Sequence, residues 1–183
     1  RAAVEWSAAM VKANYQEVVD TYTTFEPKSY AFIDDRIRGS VALHLGKSVG
    51  ELGDFIAKES ALTNMVMDIP NQSTFRGLNP GYAFGELVVV DGSSEDIEVS
   101  SDKIYIFQRS PSDLKPVAGI ATVAEGNMVS HVQLLARNLG IPNAALSDAN
   151  LQSLKKYDGD RVFYAVSNKG NVIIKTESKM TDQ

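Results

Sequence analysis

Ala124 to Pro142 reads A-E-G-N-M-V-S-H-V-Q-L-L-A-R-N-L-G-I-P, a helix signal that opens on a histidine. Ser130 is a good N-cap, and Val132, Leu135, Ala136 and Leu139 follow at i, i+3, i+4 and i+7 to make one apolar stripe. Gly140 supplies the C-terminal stop, and Pro142 prevents continuation. His131 is thereby placed in the first turn, where backbone N–H groups lack intrahelical partners and the helix dipole is positive. A neutral, nucleophilic imidazole is expected there, and the same N–H groups would receive a phosphate attached to it. Gly126 and Asn127 shape the turn before the helix, with Gly126 permitting close backbone approach. These residues point to a histidine that carries an anion.

On both sides the chain continues in a recognisable order. Upstream, Arg76-Gly77-Leu78-Asn79-Pro80-Gly81-Tyr82-Ala83-Phe84-Gly85-Glu86-Leu87-Val88-Val89-Val90 leads into the region. Downstream come Asp158-Gly159-Asp160-Arg161-Val162 and Gly170-Asn171-Val172-Ile173-Ile174. With the Ser130-His131 and Ala136-Arg137-Asn138-Leu139-Gly140-Ile141-Pro142 pieces, residues 74 to 175 resemble the PEP-utilising swivelling phosphohistidine domain. That domain occurs in phosphoenolpyruvate synthase and pyruvate phosphate dikinase. The resemblance implies an α/β chain with a three-layer β/β/α swivelling domain, in which His131 takes a phosphoryl group from an ATP-grasp domain and carries it to an acceptor site (pyruvate or another) in the same parent polypeptide. The implied class is a phosphotransferase of the dikinase type, with ATP and Mg held by partner domains and no cofactor bound by this chain. Val129 stands where the family usually has Thr, and Asn143-Ala144-Ala145-Leu146-Ser147 replaces its small apolar run. The Ser-His-Val and Ala-Arg-Asn pieces are also similar to glucan water dikinases, which implies a sugar hydroxyl as an alternative acceptor. A swivelling module that has lost transfer and serves only as an interaction surface is the remaining reading.

The other candidates around His131 carry two readings each. Ser130 caps the helix, and its hydroxyl could approach a phosphate. Arg137 lies nearly opposite His131 in helical angle and more than a turn away, so it is either a solvent-facing or packing residue or one that meets phosphate or a docking domain. Gly126, Ser130 and Arg137 are therefore the phosphate-supporting candidates beside the nucleophile His131. His44, in Val41-Ala42-Leu43-His44-Leu45, is expected to be a surface or half-buried residue of a helix. Asp34-Asp35-Arg36 with Arg38 reads as a charged helix face rather than acid–base or metal machinery. Asn79 to Gly85 lacks the Lys-Ser/Thr of a phosphate loop and leads into a strand. No metal site is expected.

Composition sets broad bounds. The 183 residues are 44% apolar, enough for an ordinary core. A net charge of −5 without a Lys/Arg cluster argues against nucleic acid or an anionic membrane as partner. The absence of cysteine excludes disulfides and thiolate chemistry and is compatible with the cytoplasm, the expected location. No stretch has the length and apolarity of a membrane span. The chain opens on Arg1 and ends in a polar run, as expected of a piece of a longer polypeptide.

Three units are expected: a helical connecting segment over 1–70, the swivelling domain over 71–175, and a polar tail or linker over 176–183. In the first, residues 2 to 24 read as an amphipathic helix with a seam of Val4, Ala8, Val11, Tyr15, Val18 and Tyr22. A second helical region over Ser29 to Leu45 carries Ile33, Ile37 and Val41, and a third over Val49 to Lys58 carries Val49, Leu52 and Ile56, together a helical hairpin or small bundle. Asn71 to Thr74 reads as a linker. Beyond it, strands are expected at Glu86–Val90, Ile97–Val99, Ile104–Phe107, Gly119–Val123, Arg161–Val166 and Asn171–Lys175, with a hairpin turn at Asn168-Lys169-Gly170. Helices are expected at 130–139 and 148–156.

Overall fold

The structure is a computed structural model that describes residues 2–59, 64–93, 97–111, 114–123 and 131–180, without the side chains of 2, 54 and 57–59. It is mixed α/β: a helical N-terminal segment lies on a mixed sheet of eight strands.

The segment contains α1 (Ala2–Thr23), a 3-10 turn (Pro27–Ala31), α2 (Phe32–Arg38) and α3 (Val41–Glu59). The first helix agrees with its expected span. The second does not run to Leu45: it stops at Gly39, whose N–H reaches Asp35 O at 2.8 Å. Ser40 then starts α3, its Oγ accepting from the Ala42 N–H at 3.2 Å. A serine cap beside a glycine is a stronger stop than the Gly46-Lys47-Ser48 stretch, which α3 runs through. The seams also differ from expectation. Ile33 and Ile37 are buried, but Val41 is 70% exposed, and in the second half of α1 Val19 is buried while Val18 and Tyr22 face outward. The buried line on α1 thus passes from Val4 and Ala8 to Val19 rather than along the expected seam. α3 turns Ala42, Gly46 and Gly50 inward and leaves Leu45, Leu52, Phe55 and Ile56 on its outer face. Small residues allow the close approach: a Cβ at Gly53 would lie 3.1 Å from the Arg76 guanidinium.

The strands are β1 (Met65–Val66), β2 (Arg76–Asn79), β3 (Gly81–Val90), β4 (Lys103–Phe107), β5 (Gly119–Val123), β6 (Asn143–Leu146), β7 (Arg161–Val166) and β8 (Val172–Thr176). Helices α4 (His131–Asn138) and α5 (Asp148–Leu154) connect β5, β6 and β7. Their order across the sheet is β1-β8-β7-β3-β4-β5-β6-β2. The run β3-β4-β5-β6 is parallel, while β7 pairs antiparallel with both β3 and β8, and β2 antiparallel with β6. Residues 97–99 form no strand; Ile97 and Val99 instead pack half-buried beside the cluster beneath α4. Met65–Val66, Arg76–Asn79 and Asn143–Leu146 enter the sheet without having been expected, because none of them shows a strand's alternation over enough residues to be read.

The sheet curls so that its end strand β2 reaches the β7–β8 hairpin near the opposite end. Gly77 on the terminal strand β2 donates its N–H to Gly170 O at 2.8 Å, in the β7–β8 hairpin. A Cβ at Gly77 would lie 2.4 Å from Val166 Cγ1, so only glycine admits this approach. Inside the curl, Leu87, Ile104, Ile106, Tyr164 and Ile174 pack with Leu151 and Leu154 of α5. Tyr164 is wholly buried and donates its OH to Ile120 O at 2.8 Å; burial holds its phenol well above the usual range. The stretch 71–74 is no loose linker, since Asn150 Nδ2 donates to Pro70 O and Asn71 O, and buried Asn64 bonds to both Phe75 O and the Val172 N–H. At the other end, a 3-10 turn (Glu177–Lys179) follows β8, with Lys179 paired to Asp68 and Arg161 to Glu177 at 3.3 Å. Among the described residues no helix is long and apolar enough to cross a membrane.

Candidate functional site

Helix α4 is held on two sides. Val132 and Ala136 pack inward on Tyr105, Phe107 and Ile120 of the sheet. Leu134 packs outward among Val4, Ala8, Val19, Ile33 and Ile37 of the helical segment. The expected stripe is therefore incomplete: Leu139 is 45% exposed, past the end of the helix, and Leu134 is buried by a layer that no local pattern discloses. The C-terminus is closed as expected. Gly140 has φ +68°, its N–H reaches Arg137 O at 3.1 Å, and the Ile141 N–H reaches Ala136 O at 2.8 Å. This 6→1 and 5→2 pair is the Schellman arrangement, with Ile141 and Ala136 sharing one apolar cluster. Ile141-Pro142 then feeds β6, where Pro142 O accepts from the Ile120 N–H at 3.0 Å. Asn143, in the divergent stretch, is a buried strand residue whose amide bonds to Gln133 of α4.

His131 is the first residue of α4. Its side chain is 28% exposed, yet Nδ1 is buried and has no hydrogen-bond partner among the described residues. The exposure thus lies on the other atoms of the side chain. Nδ1 faces Asp34 of α2, with 3.8 Å between Nδ1 and Oδ2. That is an ion-pair separation, longer than a hydrogen bond. The Asp34 side chain is only 13% exposed. Burial holds its carboxyl above the usual range; His131, Arg38 and Lys12 pull it down and Asp35 pushes it up, without reversing the effect of burial.

Asp34 therefore does not belong to the charged face expected of Asp34-Asp35-Arg36. Asp35 does, being exposed and 3.8 Å from Arg38. A signal for the difference exists in retrospect: Asp34 directly follows Ile33 and stands one turn before Arg38, at the border of the buried Ile33–Ile37 seam. Arg137 also faces the helical segment, with Nη2 3.5 Å from Glu5 Oε1 of α1. The two candidates on α4 thus meet two different carboxylates of the overlying layer. Between α1, α2 and α4 lies a cleft of about 650 Å³, lined among others by Glu5, Lys12, Asp34, Leu134 and Arg137.

Gly126 and Ser130, with the cap expected at Ser130, lie outside the described residues. His44 is an exposed residue of α3. Among the described residues no group of three or more His, Asp or Glu side chains is placed to share a metal ion. No family model matches the chain, and no match to it was found among the curated proteins or the solved structures.

Proposed function

We propose that this chain is a phosphohistidine carrier, in which His131 accepts a phosphoryl group from an ATP-grasp domain and delivers it to an acceptor site in a parent phosphotransferase of the PEP synthase/pyruvate phosphate dikinase type. The observation that carries the reading is His131 itself: it is the first residue of α4, with Nδ1 covered and the side chain as a whole partly exposed. The first-turn N–H groups of α4 have no intrahelical acceptors and can hold the phosphoryl oxygens. A histidine nucleophile splits one difficult transfer into two easier ones through a covalent intermediate. In this reading the curled sheet, with α4 on its outer side, is the three-layer β/β/α swivelling fold, and nucleotide and magnesium belong to the partner domain.

Incubation of the full chain with its ATP-grasp partner and radiolabelled ATP tests this. The label should be lost in acid and survive alkali, as a phosphoramidate does. His131→Ala should abolish it, and His44→Ala should leave it intact. Equal labelling of His131→Ala removes the proposed nucleophile.

A further inference from the structure

We infer that Asp34 is a positioning residue for His131, accepting a hydrogen bond from Nδ1–H so that Nε2 is presented as the attacking atom. The inference rests on the carrier reading for its function, but its geometry stands apart. Nδ1 is buried, and a buried ring nitrogen without a partner is rare because desolvation leaves it uncompensated. Within ion-pair reach it faces one described acceptor, the carboxylate of Asp34 at 3.8 Å. A carboxylate accepts and does not donate, so the ring nitrogen opposite it must carry the proton. The neutral ring then has its lone pair on Nε2. The same second-residue control of tautomer is general for functional histidines.

The transfer step balances on these two atoms. The Nε2 lone pair forms the N–P bond while the P–O bond to the donor's leaving phosphate breaks, its electron pair departing with oxygen. The ring then holds phosphorus on Nε2 and hydrogen on Nδ1, a cationic imidazole facing Asp34. When an acceptor oxygen attacks phosphorus, the N–P pair returns to Nε2 and Nδ1 keeps its proton throughout. Asp35 and Arg38 on α2 and Lys12 on α1 are the other charged groups acting on Asp34. Through Asp34 the helical layer becomes part of the site rather than a spacer. This explains an otherwise costly choice, a carboxylate set into a helix–helix contact beside Ile33 and Ile37.

The test uses the full chain labelled with 15N-histidine, with spectra recorded across a range of alkaline pH. Long-range 1H–15N spectra distinguish the protonated ring nitrogen from the bare one, and exposed His44 serves as internal reference. His131 should show hydrogen on Nδ1 and a bare Nε2. In Asp34→Ala, or in the apolar Asp34→Leu should the first variant unfold, the population should move toward hydrogen on Nε2. Potassium phosphoramidate, a small donor needing no partner domain, should then phosphorylate His131 more slowly relative to His44 by on the order of tenfold, the scale of a lost charge-assisted hydrogen bond. A wild-type His131 with its hydrogen on Nε2, or a tautomer unchanged in a folded Asp34 variant, overturns the inference. The two proposals fail separately: absence of labelling by ATP and the ATP-grasp partner removes the carrier reading while the tautomer result stands, and an unmoved tautomer with normal labelling removes only Asp34.

Discussion

Leu134→Ala is the sharpest probe of whether the helical layer is seated on α4. Leu134 is 5% exposed, and its neighbours Val4, Ala8, Val19, Ile33 and Ile37 come from two separate helices of the segment. Truncation removes three carbons, worth about 0.8 kcal/mol each or roughly 2.4 kcal/mol in transfer alone. The void between layers adds to that, so a total of about 2–4 kcal/mol is expected. Leu139→Ala is the matched control: the same chemistry on the same stretch, but at a residue nearly half exposed, where a loss within about 0.5 kcal/mol is expected. Urea unfolding of both variants, followed by far-UV circular dichroism and by Trp6 fluorescence, separates the cases. Trp6 lies on α1, so its signal reports the helical layer. Coincident transitions mean one cooperative unit, and a Trp6 transition that shifts alone in Leu134→Ala means a layer that can lift off. A loss below about 1 kcal/mol for Leu134→Ala, or equal losses for both leucines, would refute the packing argued for α4.

Two further outcomes follow from particular contacts. Gly77→Ala should destabilise by about 1–3 kcal/mol, since its Cβ meets Val166 Cγ1 at 2.4 Å and the Gly170 backbone at 3.0 Å; an unchanged melting temperature would mean that the sheet does not close there. Asp34 makes stability depend on pH with a definite sign: burial raises its folded-state pKa, so its contribution is present in full below the unfolded value and is lost as pH rises through the folded one. Asp34→Asn, which cannot ionise, should therefore be the more stable chain at neutral pH and lose that advantage in acid, and urea midpoints showing the opposite trend would contradict the burial of the carboxylate.

The elements that could be read in advance are those whose determinants are local. Gly140 must take a left-handed φ to end α4, Gly170 the same in the β7–β8 turn, and strand β7 is bounded by turn residues on both sides. Each depends on a few adjacent backbone torsions and survives any tertiary context that tolerates the element. That a helix would run from His131 toward Gly140 was legible for the same reason. The pairing of β1, β2 and β6 was not, because two to four residues carry too little pattern to declare a strand before a partner supplies the hydrogen bonds. Nor was the second buried face of α4. A single stripe satisfies one neighbour, and Leu134 is explained only by a layer more than 90 residues earlier in the chain. Asp34 is the extreme case. In sequence it is one acid in a run of charges, and only packing of α2 over α4 removes it from water and sets it beside Nδ1. Local torsions are encoded where they occur, whereas the protonation and direction of a side chain depend on what the rest of the chain brings against it.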